Sequence, residues 1–262
     1  MHLDVSIIGV SVERVGAMRV YRRDDFPMES VMDALRSPGA LLKASHKSET
    51  KRVGNLVVKR SRQKGIAALL RHTLLRGRCR HVWTAARYLE SRGVNIPRAY
   101  AYIEFGRFGL CWGHAFICSY LDGYVDVEAF ADGMIARGVS AVEVAGYLER
   151  LAETVNCLSS SGAIHKDLAG KNILTRNGEQ FTFIDLDAVE LDCPLTDEIR
   201  LRTLVQLYDS FNDRWGDDLL RPFVAHMLPN SNDIDSWFER VKAGQKTRRA
   251  RTEAIWREQG KL

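Results

Sequence analysis

The chain has 262 residues, 38 Lys or Arg against 33 Asp or Glu, and a formal net charge of +5 with a pI near 9.0. That length holds one large domain or two small lobes with a sizeable core, and 45% hydrophobic with 27% charged residues excludes a disordered or fibrous chain. Five cysteines, odd in number and never in C-x-x-C spacing, argue against a disulfide framework or zinc site and fit a reducing cytosol.

At the N-terminus Asp4 precedes a short apolar run, Val5 to Val10, with no basic segment before it, so no secretory signal is expected. No window approaches a membrane span. Leu41–Ala44 and Leu56–Arg60 are strand-like and enclose the polar stretch 45–54. The second run ends in V-V-K. A lysine there is either simply solvated or the phosphate lysine of a kinase strand; the helix and loop downstream favour the second reading for Lys59. Arg76 to Arg92 repeats apolar residues at a helical period, with Gly93 as its stop and Pro97 beyond. Arg98–Glu104 and Ala115–Ser119 read as further strands. The break at Ser119–Gly123 is the expected interlobe hinge, with backbone groups near Ile117, Ser119 and Tyr120 facing a flat base.

Ala141–Ser160 is a clear amphipathic helix. After it comes the most informative stretch, His165-Lys166-Asp167 through Asn172, followed by Asp185 at the end of an apolar run. The order H-x-D-x-x-x-x-N then Asp is that of a phosphoryl-transfer loop. Asp167 is the candidate base for an acceptor hydroxyl, and Asn172 and Asp185 are candidate Mg²⁺ ligands offering hard oxygens. Residues 171–175 and 180–186 read as a hairpin that brings those two side by side. Glu198–Trp215 and a basic segment of about 235–258 are the last expected helices. The latter was expected either to pack on the core or to meet a negative surface through 242–251.

Positive charge clusters at 59–64, 71–81 and 242–257. These are solvated helix faces or an attraction to nucleotide phosphates, an acidic glycolipid or a membrane surface; nucleic acid is not expected, since no aromatic-interleaved strand accompanies them.

The motifs H-K-D-L-A-G-K-N-I-L and F-T-F-I-D-L-D, the helix R-L-R-T-L-V-Q-L-Y-D-S and the upstream W-x-x-A-x-x-L-x-x-R-G-V-x-I-P-R-A together resemble the bacterial lipopolysaccharide core kinases of the Kdo/heptose type. The resemblance implies a two-lobed protein-kinase-like α+β fold, with a small β-rich N-lobe (1–118, including a strand-rich N-terminal extension) and a mainly helical C-lobe (119–262). It implies ATP- and Mg²⁺-dependent phosphorylation of a Kdo or heptose hydroxyl on a lipid-linked lipopolysaccharide core. Such a protein is cytoplasmic, with peripheral contact at the anionic inner membrane. By position Asp167 matches the family's base, Asn172 and Asp185 its metal ligands, and Lys59 its nucleotide lysine.

Ala169 stands where protein kinases carry a lysine, and few residues follow Asp185, which favours a small acceptor over a peptide. An aminoglycoside- or choline-type kinase is the alternative within enzymes. Val82 at the expected helix-acid position and the glycine-poor loop 45–50 support a catalytically weak pseudokinase or nucleotide-binding scaffold. Glu90 is the one acid available in that helix.

Overall fold

A computed structural model describes residues 9–46, 48–61, 65–228 and 233–258, and within them all side chains except those of residues 76, 78 and 79. The expectations for the run beginning at Val5, for Lys47, Arg62 and Lys64, and for the Arg76 and Arg78 side chains lie outside that set. The chain is mixed α/β and separates into two compact units, Met1–Asp122 and Gly123–Leu262.

The first unit is built on a seven-stranded antiparallel sheet. Its elements in chain order are β1 (Val10–Val15), β2 (Met18–Arg23), α1 (Met28–Arg36), β3 (Ala40–Ala44), β4 (Ser48–Val53), β5 (Leu56–Ser61), α2 (Ile66–Leu74), α3 (Arg76–Ser91), β6 (Ala99–Arg107) and β7 (Leu110–Ser119). The strand order is β1-β2-β6-β7-β5-β4-β3. Strand alternation sets Val20, Val58, Ala101, Ile103, Ala115 and Ile117 on one face. There they bury Val31 and Ala34 of α1.

The stretch 45–54 was expected as a polar connection, yet Ser48–Val53 is a strand. It pairs on one side with β3 and on the other with β5, across the two-residue turn Gly54-Asn55. Ladders on both sides hold this segment, so it needs no apolar alternation of its own. The helix expected over 76–92 is α3, and a further helix, α2, precedes it. Gly65, at φ +94, opens α2 ahead of α3, and the two meet around Leu75.

The second unit contains β8 (Val125–Asp126), α4 (Val127–Ala136), α5 (Ala141–Ser160), β9 (Ala163–His165), β10 (Ile173–Thr175), β11 (Phe181–Phe183), β12 (Val189–Leu191), α6 (Asp197–Phe211), α7 (Asp217–His226) and α8 (Ile234–Glu258). A capping box starts α5: Ser140 Oγ accepts from the Glu143 N–H and the Glu143 carboxylate accepts from the Ser140 N–H. The face of α5 from Val144 to Leu158 is buried, and the helix packs against α7. Phe211 stacks on Trp215 with ring centroids 5.3 Å apart.

Helix α8 buries Phe238 and Val241 against this core. Its cations are largely committed internally. Lys242 pairs with Asp217 at 2.8 Å, Arg248 with Asp209 at 3.2 Å, and Arg249 with Asp209 and Asp213, each at 2.7 Å. The 242–251 segment thus packs on the core, and three of its cations pair within the second unit. Among the described residues no helix is long and apolar enough to cross a membrane, and the four described cysteines are free thiols.

Candidate active site

The segment from His165 to Asp185 is fixed from three directions. From below, β9 pairs with β12, so Val189 lies opposite His165 and Lys166 N–H donates to Ala188 O at 2.9 Å. From the side, β10 and β11 form the expected hairpin, with Ile173 opposite Phe183 and Thr175 opposite Phe181. From α6, Gln206 reaches into the loop with both ends of its amide. Its Oε1 accepts from Leu168 N–H at 2.8 Å and its Nε2 donates to Lys166 O at 2.9 Å. One turn on, Ser210 Oγ accepts from Gly170 N–H at 2.9 Å. These buried backbone groups on either side of Asp167 would otherwise cost about 1–3 kcal/mol each if left unsatisfied.

Within the loop, Leu168, Ala169 and Gly170 point inward and are buried, while Asp167 is 43% exposed. A Cβ at Gly170 would fall 2.5 Å from Glu128 Cγ, so a glycine lets α4 approach the loop. Asn172, 7% exposed, donates through Nδ2 to Asp167 O at 2.7 Å and to Asp167 Oδ2 at 3.1 Å. Both donor contacts face Asp167, so the amide oxygen is the atom that remains to meet a cation.

Ile184 anchors the next residue through both backbone groups. Its N–H donates to Asn172 O at 3.0 Å, and its carbonyl lies 2.9 Å from His165 Nε2. A carbonyl can only accept, so His165 carries its proton on Nε2. The buried Nδ1 has no partner among the described residues. Burial holds the His165 pKa below its ordinary value, opposed by the Ile184 bond and the charges of Asp185 and Asp167. His165 is thus a neutral strut. Asp185 follows at φ +60 and ψ +49, a left-handed conformation uncommon outside glycine, and starts the 3₁₀ turn Leu186–Ala188. Its carboxylate and that of Asp187 are on exposed residues while Leu186 between them is buried.

The oxygen donors fit a hard cation that keeps much of its water. Asn172 contributes a directed amide oxygen, and Asp185 and Asp187 contribute exposed carboxylates. Among the described residues no group of three or more His, Cys, Asp or Glu could hold a metal ion by itself.

Lys171 was not anticipated from sequence. Its Nζ is 3.7 Å from Asp167 Oδ2, one helical turn on from the acid. It supplies beside Asp167 the positive charge that Ala169 lacks, so Ala169 weighs less in choosing between peptide and small acceptors. Gln206 and Ser210 were also missed; the one signal was a polar i, i+4 pair flanking the apolar stripe of α6.

In the first unit Lys59 sits on β5 between Thr50 of β4 and Phe116 of β7, half-buried on the face opposite Val58. Glu90 is used elsewhere. Its Oε2 takes Arg23 at 2.8 Å and Arg87 at 2.9 Å, and its Oε1 accepts from Ala99 N–H. A second ion pair between α3 and the sheet has the opposite polarity: Arg80 on the helix meets the buried Glu104 of β6 at 3.2 Å.

Of the expected base-facing residues, Ile117 is fully buried and bridged to both Val58 and Ala101, so its backbone belongs to the sheet. Ser119 N–H donates to Arg98 O, and Tyr120 N–H donates to Asn55 O at 2.8 Å. The first positions beyond the ladder are Leu121 and Asp122. The Arg52 guanidinium lies 3.8 Å over the Tyr120 ring and stiffens this edge.

The profile of the lipopolysaccharide kinase (Kdo/WaaP) family matches residues 39–226. No curated protein sequence matches the chain. Among solved structures, "WaaP in complex with acyl carrier protein" is similar, with a TM-score of 0.64 at 18% sequence identity, covering 85% of this chain and 97% of that one. At that identity the likeness is one of fold. The matched profile spans most of the chain and includes the whole His165–Asp185 segment: the protein belongs to the lipopolysaccharide kinase (Kdo/WaaP) family and is a phosphotransferase.

Proposed function

We propose that the protein transfers the γ-phosphoryl group of ATP to a Kdo or heptose hydroxyl of lipid-linked lipopolysaccharide core, with Asp167 as general base. The observation that carries this reading is the orientation of Asp167 by Asn172, beside an Asp185 whose neighbour Ile184 is bonded to the same asparagine.

Asp167 Oδ2 takes the Asn172 hydrogen bond and faces Lys171. Oδ1 is then the oxygen that accepts the acceptor hydroxyl's proton, and general-base assistance of this kind contributes about 10²–10⁴-fold. Lys171 offers positive charge where negative charge spreads over the transferred group. Asn172 and Asp185 would hold Mg²⁺, with Asp187 beside them; when bound, it neutralises charge on the nucleotide phosphates. Lys59 would hold the α- and β-phosphates, and the chain around Ser119–Asp122 would face the adenine.

In this reading the two units are the small and large lobes of a protein-kinase-like fold, divided near 118–122, and the protein works peripherally at the cytoplasmic face of the inner membrane. The Glu90 arrangement favours one second reading, a scaffold with weak turnover, because the acid nearest in role to a lysine partner is committed to Arg23 and Arg87. Mass spectrometry of core saccharide from cells with and without the gene separates the two. Loss of one phosphate supports the sugar kinase, and an unchanged core contradicts it.

A further inference from the structure

Helix α2 is turned the unusual way round. Ile66, Leu70 and Leu74, spaced i, i+4, i+8, are 78%, 53% and 79% exposed, whereas the helix buries Ala68 and His72. A surface helix ordinarily hides its aliphatic stripe and shows its polar one. The apolar face continues onto the sheet. Thr73 Oγ1 accepts from Cys111 N–H at 3.0 Å and donates to Cys111 O at 3.3 Å, which seats α2 on β7. The exposed Leu110 and Trp112, either side of Cys111, therefore lie beside the last turn of α2. Contiguous apolar surface of this kind marks an interaction site.

Its sequence neighbourhood is basic. Residues 50–89 contain no Asp or Glu and eleven Lys or Arg, of which Arg80 and Arg87 are paired with Glu104 and Glu90. Arg71 is exposed on α2 itself, and Arg107 lies 5.0 Å over the ring of the exposed Phe108 at the β6–β7 turn. Aliphatic side chains on an exposed helix face and a tryptophan on the adjoining strand, with Arg71 and Arg107 beside them, match the chemistry of an anionic bilayer surface.

We propose that the outward face of α2, with Leu110 and Trp112, is a membrane-docking surface that enters the headgroup–acyl boundary while Arg71 and Arg107 meet anionic headgroups. It rests on the reading that the acceptor is lipid-anchored. Exposed aliphatic side chains and a tryptophan with arginines beside them favour an anionic bilayer as the occupant.

The test is flotation of the full chain with vesicles of phosphatidylethanolamine and phosphatidylglycerol, against pure phosphatidylcholine. Wild type is expected to float with the anionic vesicles, and the Leu70→Asp/Leu74→Asp variant to partition about tenfold or more less. Brominated lipid is expected to quench tryptophan fluorescence, with the quenching reduced in Trp112→Phe. The double variant, its melting unchanged, is expected to phosphorylate a water-soluble deacylated core like wild type and a vesicle-embedded acceptor more slowly. Wild type that ignores every vesicle, or a variant that floats equally, overturns the proposal. So does a face that binds a small acidic protein but no vesicle. If docking fails while wild type still phosphorylates the soluble core, the sugar-kinase reading stands; if wild type docks but phosphorylates neither acceptor, that reading fails instead.

Discussion

Asn172 points its side-chain amide nitrogen at Asp167, 2.7 Å from the carbonyl and 3.1 Å from the carboxylate. One asparagine thereby orients the candidate base through its amide nitrogen, which leaves its amide oxygen as the atom to meet a cation. Ile184 N–H, bonded to Asn172 O, completes the link between the two segments.

Removing the carboxylate charge at Asp185 isolates the metal role. Asp185→Asn keeps the shape but weakens the cation's hold. Mg²⁺-dependent nucleotide binding is expected to drop by at least about 10–100-fold, the loss seen when even a supporting group of a metal site is removed. Calorimetric titration with and without Mg²⁺ reads this directly; unchanged Mg²⁺-dependent binding contradicts the assignment.

Gln206 acts at one remove. Gln206→Leu fills similar space but leaves Leu168 N–H and Lys166 O without their bonds. Chemical denaturation is expected to show a loss of about 1–3 kcal/mol. Because the loop loosens around Asp167, kcat is expected to fall while KM for ATP holds. A fall in stability with kcat intact assigns Gln206 to folding alone.

His165 gives the fold a pH dependence of known sign. Burial holds its folded pKa below the ordinary 6.5. The unfolded chain then takes up the proton first as pH falls. Its contribution is complete above about pH 6.5 and declines as pH drops from there toward the folded pKa, by at most about 1.4 kcal/mol per pH unit. His72, also buried and lowered, titrates in the same sense. The measurement is therefore the difference between wild type and His165→Gln in urea melts from pH 7.5 to 5, where the variant is expected to show the shallower fall.

The anchorage of α8 is mainly apolar. Phe238→Ala is expected to cost about 3 kcal/mol in a buried core position. Arg249→Ala, which loses contacts to the partly exposed Asp209 and Asp213, is expected to cost only about 1 kcal/mol. Thermal melts of the two variants give the ranking.

What the sequence made legible follows from how local each signal is. The catalytic-loop residues share one short segment whose residue types carry the chemistry, and the hairpin behind Asn172 is marked by Asn177-Gly178. Helix α5 has both an apolar period and its capping box. By contrast β4 has polar alternation and is held by neighbours on both sides. The short β9 and β12 exist only as partners of each other. Gln206 is polar on a largely apolar helix and gains meaning only when the loop folds over it. Ile117 was expected to offer its backbone to a base, and it lies within a ladder that runs on to Ser119. The outward leucines of α2 were invisible for the opposite reason: a helical period says which residues share a face, not which way that face turns.

The most direct test of the central claim is phosphate transfer from ATP to purified core saccharide bearing Kdo or heptose, in Mg²⁺, comparing wild type with Asp167→Ala. The account predicts saccharide phosphorylation by wild type and a fall of about 10²–10⁴-fold in kcat for the variant, with nucleotide affinity retained. Equal rates in the two proteins, or no transfer to either sugar by wild type, would contradict it.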